Sequence, residues 1–392
     1  MIIMDLTATQ PTKDARFHGG SEYAKEIFFR AIESGYVNFQ CVYNNNYELD
    51  KSIVKACVKN DILLFPVKSN EDLYKYIEDV RPRIFYSAMP YQLYELPTSH
   101  THFIMTVHGL REIECPYDNI QWAYTVGVIS RLKLFIKAFV LKNYTIKKYI
   151  SIFERLLTKK NITVVTVSEH TKYSILSIFS GFEPNNIHVF PAPCPFGDNE
   201  PVLSPDLMSL QLKERGFFLL VSANRWMKNN HRALLALSNF YDKNPECEVI
   251  TIVTGAKKPP DFLKGNNRFK FLDYIDTSSL NWLYKNAYSF IYPSLNEGYG
   301  YPPLQAMHYG TPVLASSVSS IPEVCKDNVI YFDPRNPLEI ENRIFQLYLD
   351  SERYESLKKK GLQHSMHVQG EQELKMNALI SMIFNKTICN GS

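Results

Sequence analysis

A chain of 392 residues, 45% hydrophobic and 21% charged, is long enough for two packed domains and too apolar for a disordered one. Its formal net charge of +3 does not mark a general nucleic-acid binder, and no uncharged apolar run reaches the roughly 18 residues of a spanning helix. Cysteines 41, 57, 115, 194, 247, 325 and 389 are odd in number and form no C-x-x-C pair, which argues for reduced thiols in a cytosolic setting. Met1-Ile-Ile-Met-Asp5 has neither the basic nor the long apolar region of a signal peptide.

Ile2–Leu6 reads as a first strand. A polar loop, Thr7–Phe17, leads to His18-Gly19-Gly20-Ser21, where a Gly-Gly turn would place Ser21 as N-cap of an amphipathic helix through Ile27, Phe28 and Ala31. Strand candidates at Val37–Tyr43, Ile62–Val67, Ile84–Ser87 and Phe103–Val107 alternate with helical segments, the pattern of a mostly parallel sheet. His108, with Gly109, follows the last of these. A lone histidine is ordinarily structural, but the C-terminal end of a strand is the ligand-binding edge of an open α/β sheet.

Residues 121–160 carry nine Lys or Arg against one acid, Glu154. As a single helix they would align Phe135, Phe139, Ile146, Ile150, Phe153 and Leu157 opposite Lys133, Lys137, Lys148, Arg155 and Lys159. That suits an interfacial helix on anionic lipid, and equally a core-packed helix with a solvated basic back.

Ile162–Val167 is a further strand, Ser168 a helix cap, and Ile187–Phe190 the last strand of this half. Pro191-Ala-Pro-Cys-Pro195 and the polar run to Pro205 form the best linker. The expected division is therefore residues 1–195, then 206–370, with a polar helix in 371–392 packing back on the first domain.

The pattern then restarts. Strands are expected at Phe217–Ala223, Glu248–Thr254, Phe269–Ile275, Ala287–Pro293, Val313–Ala315 and Ile330–Phe332, with separate helices near 337–349, 351–362 and 370–384. Arg225 and Lys228 lie between the first of these strands and a helix, where two cations and unbonded N–H groups suit a diphosphate. Surface basic pairs are as a rule idle. Glu297 lies in a loop with Gly298, Tyr299 and Gly300, ahead of a helix opened by Pro302 and Pro303. It would accept sugar hydroxyls, unless it is only a turn residue. No Asp-x-Asp and no His/Cys cluster suggests a metal.

Together these pieces resemble a family. Asn296-Glu297-Gly-Tyr-Gly-Tyr-Pro-Pro-Leu-Gln305-Ala-Met307, with Gly310-Thr-Pro-Val and Ile321-Pro-Glu323-Val, is similar to the C-terminal signature of the family-4 retaining glycosyltransferases. Tyr274-Ile-Asp276, Leu280, Leu283-Tyr284, Ala287 and Pro293-Ser294 match the run before it. Ser222-Ala-Asn-Arg225 with Lys228-Asn229 resembles the phosphate-contacting segment, while Val107-His108 and Val167-Ser168-Glu169 match weaker landmarks.

The resemblance implies a GT-B fold, α/β, with two Rossmann-like domains facing across a cleft. It implies a retaining, metal-independent transfer of a sugar from a nucleotide-diphosphate sugar to a hydroxyl of a glycan or lipid-linked glycan, in surface polysaccharide assembly. Glu297 would hold the sugar, the 298–300 backbone the sugar and phosphate, and Arg225 and Lys228 the diphosphate. His108 would lie near the transferred sugar, and Gly19-Gly20 would let the acceptor-side loop approach. The nucleotide sugar is a substrate, so no cofactor is expected. The expected setting is cytoplasmic, peripheral on the inner face of the membrane.

Gln305 departs from the family, which commonly has a second Glu there to grip the ribose. A tolerated change, a donor with a different ribose such as deoxyribose, and lost activity each follow. The alternatives to a transferase are a nucleotide-sugar epimerase of the same fold and a non-catalytic scaffold.

Overall fold

The central strands are short, nearly continuous apolar runs, and a strand buried on both faces needs that composition. Every residue of Ile84–Ser87, Phe217–Leu220, Ser289–Tyr292 and Val313–Ser316 is buried. The computed structural model describes residues 1–11, 19–194 and 200–385. Residues 12–18 of the expected first loop, 195–199 of the expected linker, and Cys389 lie outside them.

In chain order the first half runs β1 (Ile2–Asp5), α1 (Gly19–Glu33), β2 (Gln40–Asn44), α2 (Lys51–Lys59), β3 (Leu63–Val67), α3 (Asn70–Val80), β4 (Ile84–Ser87) and β5 (His102–Val107). It continues with α4 (Arg111–Glu114), α5 (Val128–Phe135), α6 (Lys142–Leu157), β6 (Ile162–Thr166), α7 (Glu169–Ile178) and β7 (Ile187–Val189). The second half holds α8 (Pro205–Met208), β8 (Phe217–Leu220), α9 (Asn230–Lys243), β9 (Ile250–Thr254), β10 (Phe269–Leu272), α10 (Thr277–Asn286) and β11 (Ser289–Tyr292). It ends with α11 (Tyr301–His308), β12 (Val313–Ser316), α12 (Ile321–Cys325), β13 (Ile330–Phe332), α13 (Pro337–Leu349) and α14 (Ser351–Asn385).

The strands form two parallel sheets of order β3-β2-β1-β4-β5-β6-β7 and β10-β9-β8-β11-β12-β13. In each, the order reverses once, between β1 and β4 and between β8 and β11, which is the Rossmann-like arrangement. Pro66, which cannot donate to a ladder, sits in the edge strand β3.

Two units result: residues 1–110, 146–193 and 371–392, and residues 111–145 with 194–370. The second unit's core lies around Phe218, Leu237, Phe240, Ile291 and Ile344. The last residues of the expected linker pack on this unit: Leu203 is buried, and Val202 and Ser204 donate backbone N–H groups to Ser278 and Ser279 at 2.9 and 3.0 Å.

Three local expectations are corrected. Gly19 and Gly20 open α1 itself rather than forming a turn before it, and Ser21 is not the cap. The Ser21 hydroxyl is buried and donates to the Thr9 carbonyl at 3.4 Å.

Residues 121–160 are not one helix. A 3₁₀ turn at Asn119–Tyr124, Gly127 at φ +89° and a π turn at Ile136–Val140 interrupt them. Phe153 and Leu157 are buried while Phe135 and Phe139 are exposed, so the aromatic residues do not share one face.

The helices expected at 351–362 and 370–384 are one 35-residue helix, α14. It contains no proline, and Gly361 serves a close approach: a Cβ there would stand 3.1 Å from Met307 Cγ. Its last part belongs to the first unit, where Gln372 donates to the Ala192 carbonyl at 2.8 Å and Phe384 stacks on Tyr36 at 4.7 Å.

Candidate functional site

In the second unit the chain reversal sets the loops after β8 and β11 side by side at the C-terminal edge of the sheet. The β8 loop, Val221–Asn229, is held in an unusual backbone path, with Ser222 and Asn229 both at φ +56°. Non-glycine residues adopt this region only where surroundings enforce it. Asn229 supplies part of that enforcement: fully buried, its side-chain amide donates to the carbonyls of Pro293 at 2.9 Å and Pro334 at 2.7 Å. One side chain thereby pins the loops after β8, β11 and β13. Gly255, at φ +83°, allows β9 to end against this loop, since a Cβ would meet Ser222 Cα at 3.1 Å.

The pinning brings Lys228 to Glu297. Lys228 Nζ donates to Glu297 Oε1 at 2.6 Å and to the Tyr292 hydroxyl at 3.0 Å, and lies 5.0 Å from the Tyr292 ring centre. The two charged side chains are only 14% and 17% exposed. The Ser294 hydroxyl donates to the same Oε1, and Glu297 N–H donates to Ser319 Oγ at 2.9 Å. Ser320 fixes the next turn, donating to the carbonyls of Glu297 at 2.9 Å and Tyr299 at 2.6 Å.

Burial alone would raise the Glu297 carboxyl. The Lys228 charge and hydrogen bonds from Lys228, Ser294 and Tyr292 outweigh it and hold the group below the usual carboxylate range. Burial and then the Glu297 charge push the Tyr292 phenol well up, so it stays a neutral donor. The result is an ionised, rigidly held carboxylate beside an ammonium. A carboxylate has lone-pair sites for about four hydrogen bonds, so acceptor capacity remains for hydroxyls.

Gly300, at φ +118°, turns the chain into α11, whose first turn holds Pro302 and Pro303. A Cβ at Gly300 would come no nearer than 3.9 Å to Ile321, so its glycine is required by backbone conformation rather than by crowding. Gly298 is half-buried and Tyr299 buried beside Tyr301, ring centres 5.6 Å apart. Gln305 is half-buried one turn further along α11. Arg225 precedes the 3₁₀ turn Trp226–Lys228 and is exposed, so of the two basic residues singled out by spacing Lys228 is the one that touches Glu297.

The remaining expected residues lie in the first unit. His108 follows β5, its N–H donating to the Tyr91 hydroxyl at 3.0 Å. Its Nε2 faces the Ala88 carbonyl at 2.9 Å, so Nε2 carries the proton. Its ring meets Tyr23 of α1 edge-on at 4.8 Å. Gly20 packs where a Cβ would stand 2.3 Å from Met89 Sδ, while Gly19 has open space.

Asp5, which sequence reasoning passed over as part of a strand, sits at this unit's own β1/β4 reversal. It accepts from Thr7 N–H at 2.9 Å and from the hydroxyls of Thr7 and Ser87, each at 2.7 Å. Burial nevertheless raises its carboxyl. Ser319 and Ser320, passed over too, precede the quoted Ile321-Pro-Glu323 stretch. Proximity to that motif is the one signal that would have found them.

Sequence reasoning assigns residues 112–120 no role, and the whole stretch Arg111–Tyr124 is part of the second unit. Its Asp118, 7% exposed, accepts from Arg232 at 2.7 Å and pairs with Arg335 at 3.3 Å. Its Glu114 accepts from the Asn296 side chain at 2.7 Å.

Residues 209–364 match the family described as Glycosyl transferases group 1. An O-antigen chain mannosyltransferase of Escherichia coli is 31% identical over 166 residues, which is 40% of this chain and 43% of that relative, so less than half of the relative's length is matched. A sucrose-phosphate synthase of Thermosynechococcus elongatus aligns over 98% of this chain and 99% of its own, with TM-score 0.68 and 14% identity. The Anabaena HepE protein, solved with UDP and glucose, aligns over 97% and 99%, with TM-score 0.62 and 13% identity. The fold is GT-B.

Proposed function

We propose that this chain, with its glycosyl transferases group 1 domain at residues 209–364, is a retaining glycosyltransferase. It moves a sugar from a nucleotide diphosphate to a hydroxyl of a glycan, a lipid-linked one, in surface polysaccharide assembly. The observation that carries this reading is the Lys228–Glu297 pair, 2.6 Å apart at the β8/β11 reversal, where an open α/β sheet receives ligands.

Lys228 and Arg225 neutralise the diphosphate and stabilise the charge that builds on the leaving group, a task that elsewhere can fall to a metal ion. Among the described residues no three His, Cys, Asp or Glu side chains gather as metal ligands. Glu297 accepts from the sugar hydroxyls, with Gly298, Tyr299 and Gly300 lining sugar and phosphate, and Gln305 serves the ribose. His108, Gly19 and Gly20 serve the transferred sugar and acceptor side. The mannosyltransferase relative and the UDP and glucose of the Anabaena protein both support a nucleotide-sugar donor.

A thermal-shift panel of UDP-, GDP- and dTDP-sugars tests the donor, because a ligand held only by the folded state raises its stability. One donor class is expected to raise Tm by several degrees; no shift with any of them overturns the reading. Gln305→Glu separates the ribose alternatives. A gain for ribose donors over dTDP-sugars marks Gln305 as a donor selector, and an unchanged preference marks a tolerated change. Donor-only incubation followed by NMR excludes an epimerase if no epimer forms.

The membrane expectation for 121–160 narrows to residues 126–144. Val126 and Val128 are 86% and 84% exposed, and Ile129, Leu132, Phe135, Phe139, Val140 and Tyr144 are exposed as well. Arg131, Lys133, Lys137 and Lys142 stand among them with no acidic residue. Among the described residues no helix is long and apolar enough to cross a membrane. The contact proposed is peripheral, on the cytoplasmic face. The chain is expected to float with phosphatidylglycerol vesicles and not with phosphatidylcholine alone, and Phe135→Ser with Phe139→Ser to weaken flotation. Absence of binding at any salt concentration sinks this contact.

A further inference from the structure

The loops that carry Lys228 and Glu297 are separated by 69 positions in sequence, and each needs support to hold an ion pair. Directly between them run the Asn229 amide to the Pro293 carbonyl, Leu295 N–H to the Met227 carbonyl at 2.9 Å, and the Ser294 hydroxyl to that same carbonyl at 3.3 Å, all of them local to the loops themselves. The neighbours of the pair, Met227 and Leu295, are apolar and buried in a small cluster distinct from the core around Phe218 and Ile291. Cys115 and Ile120 cover them, flanked by Tyr124 and Trp226. All of this cover except Trp226 comes from the Arg111–Tyr124 segment.

Polar ties fasten the same segment at both ends. Glu114 accepts from Asn296, the residue next to Glu297, at 2.7 Å. Asp118 takes Arg232 of α9 and Arg335 of the loop after β13, and the Tyr124 hydroxyl accepts from His231 N–H at 3.3 Å. We infer that Arg111–Tyr124 is a strap that positions the donor site, with Glu114 and Asp118 as positioning residues acting through the loops that hold Lys228 and Glu297. This rests on the donor reading for its function, but the strap itself is a property of the loops and is measurable without a ligand.

The experiment inverts one contact and then repairs it in the full chain. Asn296→Asp sets a second carboxylate against Glu114, and adding Glu114→Gln restores a donor to face it. Amide hydrogen exchange is expected to rise about tenfold or more at 226–229 and 294–298 in the single variant, the scale of one lost hydrogen bond to a charged group. Exchange in β9 and α13 stays unchanged, and the double variant regains protection. Asn296→Ala, which removes the bond without adding charge, produces the same local loss to a smaller degree and serves if the aspartate variant does not fold.

Unchanged exchange in these loops, or a loss spread over the whole unit that Glu114→Gln does not repair, overturns the strap. The Kd for UDP-glucose and GDP-mannose, measured on the same proteins, is expected to weaken about tenfold in Asn296→Asp and to recover in the double variant. A wild-type chain that binds no member of the UDP-, GDP- and dTDP-sugar panel overturns the donor reading alone, and the exchange data still decide the strap.

Discussion

Glu297→Gln is expected to lower turnover by about 100-fold or more, the scale seen when a fixed polar group facing developing charge is removed. The change is nearly isosteric and keeps an acceptor, so what it removes is the negative charge and the partner of Lys228. Breaking a buried pair from one side costs about 3–5 kcal/mol, because the remaining charge is left in a poor solvent. With side chains 14% and 17% exposed, some water reaches the pair, and a loss of about 2–3 kcal/mol is expected.

The pH dependence gives the sign. The folded carboxyl lies below its ordinary 4.5, so its contribution to stability is complete above that value and is lost as pH falls through the lowered folded pKa. Urea unfolding of the wild type should therefore show this component at pH 7 and lose it under acid, whereas Glu297→Gln lacks it at both. A variant as active and as stable as the wild type would remove Glu297 from the site.

Asp118→Ala carries the largest expected effect on stability alone, about 3–4 kcal/mol in chemical denaturation of the full chain. Asp118 is 7% exposed and serves two guanidinium groups, and among the described residues Arg232, itself 14% exposed, pairs with no other carboxylate. The same carboxylate accepts from Ile120 N–H at 2.9 Å, capping the 3₁₀ turn, which adds about 1 kcal/mol to what is lost. Asp118→Asn keeps the cap and loses the charge, so it should fall about midway. A loss below about 0.5 kcal/mol in the alanine variant would mean that the triad behaves as a screened surface pair.

The regular parts of this fold were legible because local composition alone determines them. Ile84–Ser87 is read from sequence at its observed limits, and Ser168 caps α7 as expected, its hydroxyl accepting Thr171 N–H at 3.2 Å. The candidate site was legible for a different reason: Glu297, Gly298, Gly300 and Lys228 lie in motifs that resemble those of a family. Their mutual distance was not.

The failures share a physical cause. The apolar spacing of residues 121–160 fits one helix, and periodicity contains no term for a left-handed Gly127 or a π turn. The two helices expected near 351–384 are continuous because polar stretches with two glycines can be helical when neighbouring elements pack against them. Asp118 and Arg232 are 114 positions apart, and no window along the chain contains both. The serines around Glu297 are small polar residues in loops, a class that ordinary turns use for their own hydrogen bonds.

That Asp118 and Glu114 belong to the second unit while lying in the first half of the sequence bears on how such a protein can be taken apart or recombined. A fragment begun after residue 194 would contain the whole stretch that matches the family, 209–364, and would still expose Met227 and Leu295 and leave Arg232 and Arg335 without Asp118. Grafting a new second half onto this first half at the linker would likewise join loops to an Arg111–Tyr124 segment shaped for other loops. The transferable module is discontinuous: a chimera meant to exchange the second unit has to carry residues 111–145 together with 194–370.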